Sequence, residues 1–279
     1  MNKILKREMI VPNLHLLEVE APLVAGKIEP GHFVIIKVDE AGERIPLTVA
    51  DWDRERGSVS TVFMQVGRST RKLAQLQAGD MVPTFVGPLG KPVGIKRFGT
   101  VGLVGGCYGI GSIYPLIRAM KKAGNKVISF IEARSSFLLY WEERIREASD
   151  SLIVSTKDAS SGSRGHNSEQ VVAYLKAGKK IDHIVAIGCT FMMYDISRAT
   201  RPFDVHTRVS LNPIMVDGTG MCGACRVEVG GTTKFACVDG PDFDGHEVDW
   251  NLLMARRKAY FEEETISEES EFHAKDCAN

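Results

Sequence analysis

Long apolar runs are missing from this chain of 279 residues. The apolar stretches it has are strand-sized, short of the roughly 18 residues that a membrane-spanning helix needs, so the sequence predicts no membrane insertion. A surplus of either charge is missing too, because 35 Lys and Arg balance 35 Asp and Glu. Without a basic excess there is no electrostatic footprint for nucleic acid, and no long charge run marks a polyelectrolyte partner. Cysteine is scarce: six residues are too few to staple a chain of this length as a disulfide scaffold. Residues 1–10 lack the apolar stretch and small-residue cleavage site of a secretory signal. A reducing, cytoplasmic compartment is therefore expected. No internal repeat is present, and the one biased segment is an acidic stretch at 262–271, read as a solvated terminus. What is left, 44% hydrophobic and 25% charged, is an ordinary globular balance with length for two or three domains.

Three of the six cysteines stand in one pattern. Asp217, Cys222, Cys225 and Cys237 read D-x4-C-x2-C-x11-C. Plant-type [2Fe–2S] sites draw four ligands from C-x4-C-x2-C and one distant Cys. The spacing here is intact, with a carboxylate in the first position. Gly218, Gly220, Gly223 and Ala224 fill the gaps, as a loop wrapped closely around a cluster requires. A Cys3Asp zinc site is the other chemistry these donors allow, but zinc sites more often add a second C-x2-C or a His pair, and neither exists here.

Residues 1–97 carry short β-type runs at 14–20, 33–38 and 59–64, split by Pro30-Gly31, Arg56-Gly57 and Gly79-Asp80. With one helix near 70–76, this predicts a small antiparallel β-barrel. From 98 to 205 the pattern becomes strand–helix alternation. Strands are expected at 100–104, 126–131, 151–155 and 184–188, and helices at 113–122, 137–147, 168–177 and from 191. That alternation predicts an α/β domain with a parallel sheet. Residues 206–247 make a third, small unit around the cysteines, and 248–279 a helix and tail. The apolar residues of that helix, Leu252, Leu253 and Met254, have little in their own lobe to cover, so 248 to about 260 is expected to pack on another subunit; folding back on the chain's own nucleotide domain is its other reading.

The loop Gly105-Gly106-Cys107-Tyr108-Gly109-Ile110-Gly111 links a strand to a helix, where glycines let backbone N–H groups approach a pyrophosphate. It is not the G-x-G-x-x-G fingerprint, and a plain tight turn is its other reading. Glu132 ends the next strand, where an acid suits a ribose 2′-hydroxyl better than a 2′-phosphate; Arg134 argues the other way. Arg44-Ile45-Pro46-Leu47-Thr48 follows a barrel strand, and Val66-Gly67-Arg68-Ser69-Thr70 opens the barrel's helix.

Together these motifs resemble the ferredoxin–NADP reductase-like flavoproteins. They are most similar to the electron-transfer subunit of dihydroorotate dehydrogenase and to the small, NADH-side subunit of NADH-dependent ferredoxin:NADP oxidoreductase, also called sulfide dehydrogenase. Asp in the first cluster position favours the second. The resemblance covers the chain to about residue 245 and implies a barrel that binds FAD, a domain that binds NAD(P)H, and a lobe that holds a [2Fe–2S] cluster; Glu132 sets the expectation of NAD(H) over NADP(H). It implies that Arg44 meets the FAD phosphates, that Thr48 meets the flavin edge beside Pro46 and Leu47, and that Phe63, Met64, Gly67, Ser69 and Thr70 hold the rest of FAD. Gly87-Pro88-Leu89-Gly90 matches the turn ahead of the nucleotide domain. Gly105, Gly106, Gly109, Gly111, Glu132 and Arg134 fall on the dinucleotide site, with Cys189 and Met192-Met193 near the nicotinamide. Asp217, Cys222, Cys225 and Cys237 fall on the cluster ligands. The implied function is oxidoreductase electron transfer from NADH to a larger flavin and [4Fe–4S] subunit in a heterodimer, reaching ferredoxin indirectly and open to electron bifurcation. No acid–base pair is proposed. The alternatives are the dihydroorotate dehydrogenase subunit itself and a non-enzymatic redox-sensing module.

Overall fold

The computed structural model describes residues 1–266; positions 267–271 of the acidic stretch lie outside the described residues. The N-terminal sheet is formed by β1 (Asn2–Val11), β2 (Leu14–Glu20), β3 (Phe33–Lys37), β4 (Arg44–Asp53), β5 (Ser58–Met64), β6 (Met81–Val82) and β7 (Thr84–Leu89), with the short helix α1 (Pro22–Ala25) and α2 (Arg68–Gln75) between strands. The strand order is β6-β1-β2-β5-β4-β3-β7, and every pairing is antiparallel. The two edge strands β6 and β7 meet in the chain at Pro83, which has no N–H to give to a ladder. The sheet is thereby nearly closed into a barrel. Alternate residues of β4 (Leu47, Val49) turn into its core with Leu17, Val34, Ile36 and Val59. The sequence reading missed β1, and it placed 44–48 after a strand. Those residues instead open β4 itself, because the β-branched and apolar positions of the run alternate into the core.

The second region contains β8 (Thr100–Gly106), α3 (Gly109–Lys122), β9 (Lys126–Ala133), α4 (Glu142–Ala148), β10 (Ser151–Thr156), β11 (Ser163–Arg164), α5 (Asn167–Lys176), β12 (His183–Ile187), α6 (Thr190–Thr200) and β13 (His206–Ser210). The hairpin β14 (Arg226–Val229) and β15 (Thr232–Phe235) follows, and β16 (Asp242–Asp244) returns to the sheet edge. The sheet order is β11-β10-β9-β8-β12-β13-β16, parallel except for β16. Thus β13 and β16, expected in a separate C-terminal unit, are strands of the parallel sheet. Helix α3 buries Ile110, Ile113, Leu116, Ile117 and Met120, the three-and-four spacing of an amphipathic helix. The single helix expected at 137–147 is broken. A 3-10 turn covers Ser136–Leu138, and Trp141 at φ 54° separates it from α4. That kink lets Tyr140 bury its ring while Trp141 stacks against Arg144. No helix among the described residues is long and apolar enough to cross a membrane.

Helix α7 (Trp250–Arg257), after the sheet-edge strand, corrects the expectation of an intersubunit face. Asp249 caps it by accepting the Leu252 N–H at 2.9 Å. Trp250 and Leu253 are buried in the chain's own core, with Trp250 against Tyr194 and its indole N–H donating to the Gly245 carbonyl. Leu252 alone of the apolar trio stays largely outside, because the helix is turned so that Leu253 points inward. Leu253→Ala should therefore destabilise the isolated chain by about 2–5 kcal/mol, the usual range for a buried leucine. A thermal or urea melt of the chain without any partner checks this; an unchanged midpoint would return the helix to an intersubunit role.

Candidate functional site

The parallel strand order reverses between β8 and β12, and ligand crevices in such sheets form beyond the carboxyl ends at that point. The last registered pair there is Ile187 opposite Gly105. The loops that follow carry Gly106 to Gly109 on one side and Gly188 to Thr190 on the other. They pack backbone on backbone: a Cβ on Gly109 would stand 1.9 Å from the Ile187 carbonyl oxygen, and one on Gly188 3.0 Å from the Gly106 carbonyl. On Gly105 it would meet Ile110, and on Gly111 it would meet Val62 of the barrel. The glycines thus allow helix α3 to begin tight against β12 and against the barrel. Tyr140 holds the turn, donating to the Cys107 carbonyl at 3.0 Å while accepting the Gly111 N–H at 2.8 Å. Cys107 sits at φ 55°. Burial pushes its thiol pKa up, and neighbouring Cys189 adds to the shift.

Facing this junction, the barrel presents one wall of a cavity of about 240 Å³. Phe33, Pro46, Leu47, Thr48, Phe63, Met64 and Thr70 line the barrel side; Tyr108, Asn212, Pro213 and Met215 line the other. The structure therefore brings six of the nine expected flavin residues to one cleft. Gly67 and Ser69 stand at the start of α2 beside Thr70. Thr70 accepts the Val66 and Gly67 N–H groups, each at 3.0 Å, and the Ser69 hydroxyl donates to Glu43. The start of that helix is a partial positive charge at the cleft's margin, suited to an anionic group. A largely apolar cleft with a helix start at its edge suits a flavin with its phosphates. The Arg44 Nη2 donates to the Asp217 carbonyl at 3.1 Å.

Tyr108 and Asn212 were missed by the sequence reading. Tyr108 donates to the Gly188 carbonyl at 2.8 Å and accepts from the Asn212 amide at 2.7 Å, while Asn212 accepts from the Thr190 hydroxyl at 2.8 Å. Arg257 of α7 donates to the same hydroxyl. Burial raises the Tyr108 phenol to about 12, so it is a neutral hydrogen-bonding group. The Asn212-Pro213 pair directly after a strand was the available signal, a turn dipeptide at a carboxyl strand end.

A smaller cavity of about 90 Å³ joins Glu132, His166, Ser168, Cys189, Phe191, Met192 and Asp195. Three residues expected near the dinucleotide, Glu132, Cys189 and Met192, therefore share one space. Glu132 accepts the Asn167 N–H at the start of α5 and lies 3.9 Å from His166. Burial raises its pKa against that hydrogen bond. Arg134 is exposed beyond it.

The four donors of the cysteine pattern converge as two pairs. The Asp217 carboxylate accepts the N–H groups of Thr219 (2.9 Å), Met221 (3.1 Å) and Cys222 (2.8 Å), which with the Cys222 thiol hold its pKa low. The Cys225 and Cys237 sulfurs lie 3.2 Å apart and are buried. Burial and that neighbour push the Cys237 thiol up to about 12. Gly218, Gly220 and Gly223 all have positive φ. Among the described residues no three such side chains surround a single ion. Two pairs suit two irons, each taking two protein ligands, better than one zinc taking all four. Two buried, neighbouring sulfurs also suit a shared cationic centre that draws them in as thiolate ligands.

Architecture and site together define the chain as a ferredoxin reductase-like protein with a C-terminal iron–sulfur lobe. Phthalate dioxygenase reductase, described as modular for electron transfer from pyridine nucleotides to [2Fe–2S], shares the fold at 16% identity and a TM-score of 0.60, covering 82% of this chain and 86% of its own. Residues 212–249 match the iron–sulfur cluster binding domain of dihydroorotate dehydrogenase B. A dihydroorotate dehydrogenase B (NAD(+)) electron transfer subunit homolog of Thermotoga maritima is 44% identical over 96% of this chain and 95% of its own length. The solved NADH-dependent reduced ferredoxin-NADP oxidoreductase, from a study of flavin-based electron bifurcation, is 43% identical with a TM-score of 0.92 over 98% of both chains. The chain belongs to the family of dihydroorotate dehydrogenase B electron-transfer subunits and their homologues, and is an oxidoreductase of the ferredoxin reductase type.

The glycine packing gives a direct test. Gly109→Ala should force the loop off β12 and cost about 1–3 kcal/mol, as overpacking does. Melting of the purified variant checks it. A wild-type midpoint would mean that the loop yields freely and that its glycines serve the ligand alone.

Proposed function

We propose that this chain is the NADH-side electron-transfer subunit of a heteromeric ferredoxin:NADP oxidoreductase. In this reading the barrel cleft holds FAD, the β8–β12 crevice holds NAD(H), and Asp217, Cys222, Cys225 and Cys237 hold a [2Fe–2S] cluster. One observation carries it: a single cleft has barrel residues on one wall and the nucleotide loops on the other, while the four cluster donors lie in the next loop along. When bound, the flavin takes electrons from nicotinamide in pairs and releases them singly to the cluster.

The chain's own residues position and select. Pro46, Thr48 and Phe63 form the wall against which a flavin ring is laid. Tyr108 and Asn212 fix the opposite wall, so that the nicotinamide's approach is set by backbone rather than by mobile side chains. Glu132 and Asp195 make the smaller cavity acidic, which opposes a 2′-phosphate and supports NAD(H) over NADP(H). Val216 and Met221 leave apolar side chains outside, beside exposed Cys222. That edge is where a larger flavin and [4Fe–4S] subunit would take the electron, and ferredoxin would be reached through that subunit.

Anaerobic purification followed by flavin, iron and acid-labile sulfide analysis tests the reading. One FAD, two irons and two sulfides per chain are expected. One zinc without iron, or no flavin, would end it. NADH should exceed NADPH in kcat/KM for dye reduction. Glu132→Gln keeps the acceptor for the Asn167 N–H and removes the charge, so it should narrow that preference about tenfold, equivalent to about 1.4 kcal/mol. An unchanged ratio would place the selectivity elsewhere, with Arg134 as the next residue to vary.

A further inference from the structure

We propose that Arg44 is a positioning residue of the cluster loop, tying the loop's first ligand to the strand that walls the flavin cleft. It would act there in place of the FAD phosphates, and the inference rests on the cofactor assignment above. Arg44 shares a strand face with Pro46 and Thr48, two and four residues on, because successive side chains of β4 alternate and Leu47 and Val49 enter the barrel core. Both Pro46 and Thr48 line the cleft. From that face the Arg44 guanidinium reaches across 173 positions of sequence to the Asp217 carbonyl, at 3.1 Å.

A second contact closes the same junction. A Cβ on Gly218, the next residue, would lie 3.0 Å from Ile35 and 3.1 Å from Leu89, so this turn of the loop rests directly on β3 and β7. Ile35 pairs with Pro46 across the sheet. The first ligand is therefore clamped between a β4 cation and a β3 side chain, both adjoining the flavin wall. The Asp217 carboxylate is directed into its own loop, onto the N–H groups of Thr219, Met221 and Cys222. Arg44 thus fixes the peptide and leaves the carboxylate oxygens to their own partners. Its Nε is buried and has no acceptor.

A guanidinium stays charged at any working pH. Held beside the loop of a centre that gains negative charge on reduction, it favours the reduced form, since cluster potentials follow net charge, hydrogen bonds and exposure. Arg44 is then a tuning as well as a clamping group, placed where the cleft wall and the cluster loop meet.

The test compares wild-type, Arg44→Gln and Arg44→Lys as purified holoproteins. FAD retained after desalting, iron content, the EPR spectrum of the reduced cluster and its redox titration are measured together. Arg44→Gln should keep FAD and iron at wild-type levels and lower the ratio of reduced to oxidised cluster about tenfold at fixed potential, which is 59 mV for one electron. Arg44→Lys keeps the charge without the planar fork, so it should hold that ratio within about twofold while changing the EPR line shape. Should Arg44→Gln not fold, the lysine variant decides alone: a wild-type line shape overturns the clamp. Loss of FAD with an unmoved cluster potential in either variant overturns the proposal and makes Arg44 a phosphate anchor. Wild-type protein without iron would instead overturn the cofactor assignment, and this inference with it.

Discussion

One continuous apolar core sets the relation between the three regions of this chain. It runs from Phe33 and Ile35 of the barrel through Val104, Val209 and Phe243 of the parallel sheet to Val227, Cys225 and Cys237 of the cluster lobe, and ends on Trp250 and Leu253 of α7. Separate domains joined by small polar interfaces are expected to move against one another. A shared, close-packed core does not deform continuously. The cleft, the β8–β12 crevice and the cysteine loop are therefore held at fixed separations.

The polar contacts follow from that core. Because β13 and β16 are strands of the parallel sheet, the loop after β13 delivers Asn212 to the β8–β12 crevice, where it meets Tyr108 and Thr190. Because α7 packs on Tyr194 of α6, its Arg257 reaches Thr190, and its Arg256 donates to the Ala224 carbonyl between two cluster cysteines at 3.1 Å. The C-terminal helix thus braces the cluster loop and the nucleotide loop at once. Val216, Met221 and Leu252 stand exposed on the outward surface.

The cysteine pair has its own logic. Cys225 and Cys237 are buried among apolar residues, and burial raises the Cys237 thiol, whereas Cys222 and Asp217 sit nearer solvent with backbone N–H groups around the carboxylate. A centre spanning both pairs would have one buried and one accessible side. The accessible side is the one with oxygen in place of sulfur.

Much of this was legible in the sequence for a definite reason. Spacing encodes local geometry: the D-x4-C-x2-C-x11-C pattern, the glycines around it and the strand–helix alternation of 98–205 each report on residues near in sequence, and the four strands expected in 98–205 form there even though the helix expected at 137–147 is broken. Six cleft residues were legible because they lie on two neighbouring strands and the helix after them. Sequence spacing is silent about which distant faces bury each other. Tyr108 and Asn212 are 104 positions apart, and Arg44 and Asp217 are 173 apart. The apolar residues of α7 looked available for a partner because only the folded core reveals that Trp250 and Leu253 are already covered. Glu132 stood at the right strand end, but its hydrogen bond to Asn167 arises where α5 begins beside β9. Local chemistry was written along the chain; the direction of each side chain was decided by the core that closed around it.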